Sequence, residues 1–230
     1  MWAAFAAAPA LAHDVSELAR QSMLEGGPGM AAWIGAEHML SGYDHLLFLL
    51  GVLFFLHRTG EIVRFVTVFT LGHTITLLGA TLLGITANIY LIDALIALTI
   101  CYKAFENLGL FRRLLGIDAP NLLIMVFGFG LIHGFGLSTR LQQVTLVDDP
   151  QLVPKILAFN VGVELGQIAG LCLMLAVVRL WRSTDVWTPV MRGANAALMV
   201  LGLGLFIVQI GSFASHPDPM PAQIASLGRN

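Results

Sequence analysis

Apolar stretches of roughly 20 residues, the length of helix that crosses a bilayer core, recur six times along the chain. Because a helix satisfies its backbone hydrogen bonds internally, each stretch predicts a membrane-spanning helix. The 230-residue sequence is 57% hydrophobic and 11% charged, far outside the range of soluble domains. We therefore predict an all-α polytopic membrane bundle of six transmembrane helices. The predicted spans lie near residues 38–57, 64–84, 89–110, 121–141, 154–180 and 189–212.

Positive charges divide unequally between the two sides of this predicted bundle. The larger group is Arg58, Arg64, Arg112, Arg113, Arg179, Arg182 and Arg192. The smaller group is Arg20, Arg140, Lys155 and Arg229. By the positive-inside rule the larger group faces the cytoplasm, which places both termini outside. The pattern predicts a multi-pass protein of the bacterial inner membrane.

The spans form a predicted transmembrane domain over residues 37–212. Residues 1–12 are apolar and end in Ala-Leu-Ala before His13, as a secretory signal does at its cleavage site. We expect residues 13–36 and the tail 213–230 to be periplasmic. A net charge of −2 gives no basic field for nucleic acid, so the expected partners are the lipid bilayer and an ion.

Spans two and five share a short pattern. Phe69-Thr70-Leu71-Gly72 is followed by His73, and Phe159-Asn160-Val161-Gly162 is followed by Glu164. The two spans run in opposite directions across the membrane, as an inverted 3+3 repeat of a transporter requires. Chance similarity within apolar sequence is the alternative interpretation.

Ionisable side chains inside the spans are costly in lipid and usually face a cavity, a partner or a substrate path. With a helical rise of about 1.5 Å per residue, the depth of each one follows from its distance to the end of its span. The polar groups of four spans then fall in one layer of the outer half. They are Asp44, His45, His73, His133, Asn160 and Glu164.

His38 lies at the outer surface, seven residues before His45. In an unbroken helix their backbones are about 10 Å apart along the axis, so they could not chelate one ion together. We expect His38 to be the first ligand that an ion meets, and Gly42 would permit a bend between the two. Imidazole suits Ni(II), Co(II), Cu(II) and Zn(II), while carboxylates can orient a neutral imidazole.

Other polar groups are interpreted as structural. Asp93, near the outer end of span three, is expected to be solvated or to cap its helix. Lys103 and Glu106, near the inner end, are expected to pair with each other or with neighbouring arginines. The glycine-rich sequence around His133 favours close helix packing over an unwound segment. No G-x-S-x-G, H-E-x-x-H or P-loop motif occurs, so we expect no enzymatic activity.

Four motifs together resemble the HupE/UreJ membrane proteins, the hydrogenase and urease accessory family. They are residues 38–50 (HMLSGYDHLLFLL), 69–77 (FTLGHTITL), 130–136 (GLIHGFG) and 159–167 (FNVGVELGQ). The resemblance implies a secondary permease for Ni(II), with His38, Asp44 and His45 of the H-x5-D-H signature in nickel recognition and His73 alongside. Met39 replaces the proline usual in the nickel-characterised branch, so the chain resembles the second branch, whose metal is less defined.

The sequence thus favours a secondary permease for a divalent transition metal ion, with Ni(II) preferred and Co(II), Cu(II) and Zn(II) as alternatives. The expected ligands are His38, Asp44, His45, His73, His133 and Glu164. The residues expected to orient them are Asn160, Thr70, Thr74 and Gln167. The alternative is a non-transporting membrane subunit that binds a metal or haem within a larger complex. A homo-oligomer or another membrane partner is compatible with either.

Overall fold

The computed structural model describes residue 22 and residues 25–54, 59–143, 150–182 and 184–216. Over these residues the chain is helical and contains no strand, which confirms the predicted all-α class. The signal-like segment 1–12 and the tail from residue 217 lie outside the described residues.

The helices are α1 (Pro28–Ser41), α2 (Tyr43–Leu53), α3 (Thr59–Leu83), α4 (Ile89–Asn107), α5 (Leu122–Gln143), α6 (Leu152–Arg182) and α7 (Trp187–Ser215), with a π-helix (Phe111–Leu115) after α4.

Within the described residues, four helices are long and apolar enough to cross a membrane. These segments are Gly60–Leu83, Leu122–Gln142, Leu152–Leu180 and Trp187–Ser215. Two predicted spans are not among these four. The first is divided between α1 and α2, and α4, which corresponds to the third, carries three charged residues among its 19. The chain is thus a helical protein with several membrane-spanning segments, and the number six remains a prediction.

The first predicted span breaks at Gly42, whose backbone is extended at φ −71° and ψ 113°. Any residue can adopt these angles, so the need for glycine at this point is one of space. A Cβ atom here would lie 2.5 Å from His45 Nδ1 and 3.1 Å from Asp44 Oδ1. The missing side chain therefore lets the His45 ring fold back over the break.

Glycines set how closely α3 and α5 approach. A side chain at Gly130 would overlap the backbone carbonyl of Phe69, and one at Gly134 would overlap that of His73. Helix α5 is continuous through this region. The glycines around His133 therefore serve close packing, the interpretation that the sequence favoured over an unwound segment.

Helices α1 and α6 pack in the same manner. A side chain at Gly35 would overlap the carbonyl of Phe159, and one at Gly162 would overlap that of Ala32. Small residues let backbones approach to van der Waals distance, which is a main source of helix association in lipid.

The relative directions of the packed helices follow from their contacts. Helices α3 and α5 are parallel. Phe69 of α3 meets Gly130 of α5, and further along both helices Thr81 bonds to Ser138. Helices α4 and α7 are antiparallel. The start of α4 bonds to the end of α7, and the end of α4 bonds to the early part of α7 through Asn107.

The expectation for Asp93 is wrong. Asp93 is 7% exposed and accepts two hydrogen bonds from Arg140 of α5, at 2.7 and 3.0 Å. The cap of α4 is Asn88 instead, whose side chain accepts from two backbone N–H groups of the first turn. A buried carboxylate needs such a partner, because removing an unpaired charge from water costs several kcal/mol.

The expected pair at the inner end of α4 is present. Lys103 Nζ donates to Glu106 Oε2 at 2.7 Å, and both side chains are buried. Arg112 instead pairs with Asp118 on the surface at 2.6 Å, which raises the pKa of the Arg112 guanidinium.

A glycine substitution tests the close packing of α1 on α6. Gly162→Ala should lower the stability of the detergent-purified protein by about 1–3 kcal/mol, because the new methyl group overlaps the Ala32 carbonyl. Thermal unfolding of the purified protein measures the effect. Gly204→Ala is the matched control, since the space around Gly204 is open. Equal stability of the two variants would contradict the packing.

Candidate metal centre

Three histidine rings form a chain of contacts across three helices. The ring centroids of His38 and His45 are 4.9 Å apart, and those of His45 and His133 are 5.7 Å apart. The chain breaks at Gly42, between the first two of these histidines, and their rings are in contact across the break.

His45 is oriented by the residue that precedes it. Its Nδ1 atom lies 3.1 Å from Asp44 Oδ1, and both residues are buried. Asp44 stands in the first turn of α2, where the helix dipole stabilises a negative charge. A carboxylate can only accept, so the Nδ1 atom of His45 carries the proton.

His73 is oriented by α6. Its Nδ1 atom lies 2.7 Å from Asn160 Oδ1, while Asn160 Nδ2 donates to the carbonyl of Ile156 at 2.9 Å. Because that carbonyl can only accept, the amide nitrogen must face it and the amide oxygen must face His73. His73 therefore donates from Nδ1, and its Nε2 atom keeps a lone pair.

His133 is oriented by its own helix. Its Nδ1 atom lies 2.8 Å from the carbonyl of Phe129, one turn earlier in α5. The Nε2 atom is fully buried and has no hydrogen-bond partner among the residues that the structure describes. A bare acceptor in the protein interior is costly, by about 1–3 kcal/mol.

The three buried histidines thus share one protonation pattern. Each holds its Nδ1 proton against an oxygen acceptor, which leaves the Nε2 lone pair of the neutral ring for another partner. An oxygen acceptor on the far nitrogen is the arrangement that orients metal-binding histidines in proteins. His45, His73 and His133 are 7%, 2% and 3% exposed, so none of them faces lipid.

One predicted ligand and several of the residues expected to orient ligands make other contacts. Glu164 accepts a hydrogen bond of 2.8 Å from Thr67, on the seam between α3 and α6. On the same seam Gln167 accepts from Thr70 at 3.3 Å, whereas Thr74 bonds to a carbonyl of its own helix. Among the described residues no three His, Cys, Asp or Glu side chains are arranged to hold a metal ion as they stand.

Aromatic rings that the sequence does not single out pack against the histidine centre. Phe48 and Phe69 lie 5.6 and 5.3 Å from the ring of His133, and Phe48 lies 5.7 Å from Phe129. All three phenylalanines are at most 5% exposed. We call Phe48, Phe69 and Phe129 the phenylalanine plug.

The spacing of the phenylalanine plug could have been found in the sequence. Phe48 follows its histidine by three residues, whereas the other two precede theirs by four. Given the alternating directions of the spans, each phenylalanine lies one helical turn closer to the predicted cytoplasmic side.

These features define a multi-pass membrane protein with a buried histidine centre. The sequence model of a family described as HupE/UreJ protein matches residues 18–214, and the chain belongs to this family. The family comprises membrane accessory proteins, generally for nickel or cobalt, and is not a family of enzymes. The searches of curated proteins and of solved structures gave no match.

Nitrogen NMR of protein labelled with ¹⁵N-histidine tests the protonation pattern. We expect signals of neutral rings protonated at Nδ1 for His45, His73 and His133, assigned by single His→Gln variants. Asn160→Leu should change the His73 signal, because it removes the acceptor. Thr74→Val is the control. Proton signals on Nε2 for all three rings would contradict the arrangement.

Proposed function

We propose that this protein is a secondary permease for a divalent transition metal ion, with Ni(II) as the preferred cargo. The observation that carries the proposal is the shared orientation of His45, His73 and His133, each with Nδ1 engaged and Nε2 available. Imidazole nitrogen suits Ni(II), Co(II), Cu(II) and Zn(II). Membership of a family associated with nickel and cobalt supports the same class of ion.

The linear order of the rings fits transport better than storage. A transported ion must bind well enough to enter and weakly enough to leave, which successive partial sites achieve. His38 is half-buried and in contact with His45, which in turn contacts the fully buried His133. In our proposal an ion passes along this order and exchanges water for imidazole at each step.

Glu164 is proposed as a later ligand on the inward route. Together with Thr67, Thr70 and Gln167 it gives the seam between α3 and α6 a series of oxygen atoms. Carboxylate and hydroxyl oxygens hold such ions less strongly than imidazole does. An ion that leaves the histidines would therefore find progressively weaker ligands.

The phenylalanine plug corresponds to a closed state of the proposed permease. We propose that these buried aromatic rings, which contact His133, block the direct path of the ion toward the cytoplasmic side. Inward release then requires that one group of helices rock against another, as in secondary transporters built from repeats. The chain contains no P-loop, so this motion is proposed to need no ATP.

Two features support six crossings and the inverted repeat. The helix directions are those that six alternating crossings would give. In addition, an inverted repeat relates span one to span four and span two to span five. It therefore relates the α3–α5 pair, which belongs to spans two and four, to the α6–α1 pair, which belongs to spans five and one. Both pairs pack closely through glycine. With the positive-inside rule, this supports a protein of the bacterial inner membrane with both termini periplasmic.

Nickel uptake tests the cargo. In cells expressing His45→Ala, uptake of radioactive nickel should fall to the level of cells without the gene. Asp44→Ala should reduce it by about tenfold or more, because an oriented imidazole binds metal better. The control is His216→Ala, since His216 is exposed beyond the end of α7.

Unchanged uptake in both variants would contradict the permease. The alternative, a subunit that binds haem, predicts a purified protein with a Soret absorption band. Haem needs a flat slot between axial ligands, whereas the rings of His45 and His133 lie 5.7 Å apart with Phe48 packed on His133. The observed packing therefore favours an ion.

Fusions to alkaline phosphatase test the orientation. The enzyme needs disulfides that form only outside the cytoplasm. A fusion after residue 216 should be active, and one after residue 117, beyond the π-helix, should be inactive. The reverse result would overturn the proposed topology.

A further inference from the structure

A small cavity lies beside the histidine chain, between α2, α4 and α7. Its volume is about 10 Å³, and Tyr43, Asp44, Asp93 and Gln209 form its polar part. Apolar side chains of α4 and α7 close the remainder. Of these four residues, only Asp44 belongs to the proposed metal route.

Gln209 indicates that this cavity has an occupant. The residue is 6% exposed in the last third of α7, after the apolar run Leu201–Val208, and it lines the cavity. Its amide has no hydrogen-bond partner among the described residues. Burying an amide without a partner is costly, so a ligand within the cavity is the natural partner.

The chemistry of the lining selects a hard cation. Two carboxylates, a phenol and an amide supply oxygen atoms and no imidazole or thiolate, which suits hard ions rather than nickel-like ones. A cavity of this volume holds about one water-sized body. Hydrated Mg²⁺, which keeps several waters, is too large.

The charges favour a monovalent ion. Asp44 and Asp93 bring two negative charges to the cavity, and Arg140 brings one positive charge through its two hydrogen bonds to Asp93. Among the described residues, one monovalent cation balances these three charges. We propose that the cavity binds a single Na⁺ ion through Asp44, Asp93, Gln209 and Tyr43.

Asp44 connects this site to the histidines. The same carboxylate that borders the cavity lies 3.1 Å from His45 Nδ1. A bound Na⁺ draws on that carboxylate and repels a second cation nearby. This part of the inference rests on the proposed function, and it makes Na⁺ an antagonist of metal binding at His45.

The test uses the full chain purified in detergent, in NaCl or in N-methylglucamine chloride of equal concentration. Na⁺ should raise the thermal unfolding midpoint by about 2–4 °C, because it binds only the folded state. Gln209→Leu and the near-isosteric Gln209→Met should lose this shift. Ser212→Ala, one turn away on α7 with its hydroxyl bonded to its own helix, should keep it.

A second measurement follows binding of Co(II) by its visible spectrum in the same two salts. The affinity of the wild type should be about fivefold lower in NaCl. Gln209→Leu should bind Co(II) equally in both salts, at the wild-type affinity measured in N-methylglucamine chloride.

Each negative result contradicts a different part of the inference. Equal wild-type midpoints in the two salts, or a full Na⁺ shift in both Gln209 variants, overturn the Na⁺ site and leave the cavity to water. A Na⁺ shift without any change in Co(II) affinity overturns the coupling through Asp44. Absence of Co(II) binding in either salt contradicts the proposed function, and the midpoints still decide the Na⁺ site.

Discussion

The space left by the missing side chain at Gly42 determines the arrangement of the histidine centre. Because the chain breaks there in an extended conformation, the ring of His45 returns over the backbone and meets His38. The same break begins α2, so Asp44 falls in its first turn beside His45. A Cβ atom at this position would lie 2.5 Å from His45 Nδ1, so the His45 ring would have to move.

The second requirement is that most polar groups in this apolar interior have a hydrogen-bond partner; His133 Nε2 is an exception among the described residues. Water is absent from the bilayer core, so hydrogen bonds must come from the protein itself. Asp44, Asn160 and the Phe129 carbonyl each accept from one imidazole. These bonds fix the orientation of each ring as well as its protonation. The same hydrogen bonds therefore stabilise the protein and orient the Nε2 atoms of the histidines.

Much of this architecture follows from the sequence, because lipid imposes strict rules. The helical class follows from the apolar stretches. The shared depth of His45, His73, His133 and Asn160 follows from helical rise alone. Depth along an axis says nothing about rotation around it, however. For this reason Glu164, at a similar depth, could not be distinguished from the others, and it bonds to α3 on the seam instead.

The remaining differences have physical reasons too. The sequence does not predict the pair of Asp93 and Arg140, because the two residues are distant in the chain and their spans must pack together to bring them into contact. Gly42 predicts that the helix can bend there, but the direction of the bend depends on contacts with the following turn. The phenylalanine plug was overlooked because aromatic residues at helical spacing are common in any apolar core.

Close glycine packing has a mechanical consequence. Helices α3 and α5 form one tightly packed unit, and α1 and α6 form another, whereas packing between α3 and α6 is much less extensive. His73 and His133 belong to the first unit, and His38 to the second. Sliding of the units past each other would change the gaps between rings and would also separate His73 from Asn160 of α6, which accepts its Nδ1 proton. In the proposed permease, the relative position of the two units would therefore set how firmly an ion is held.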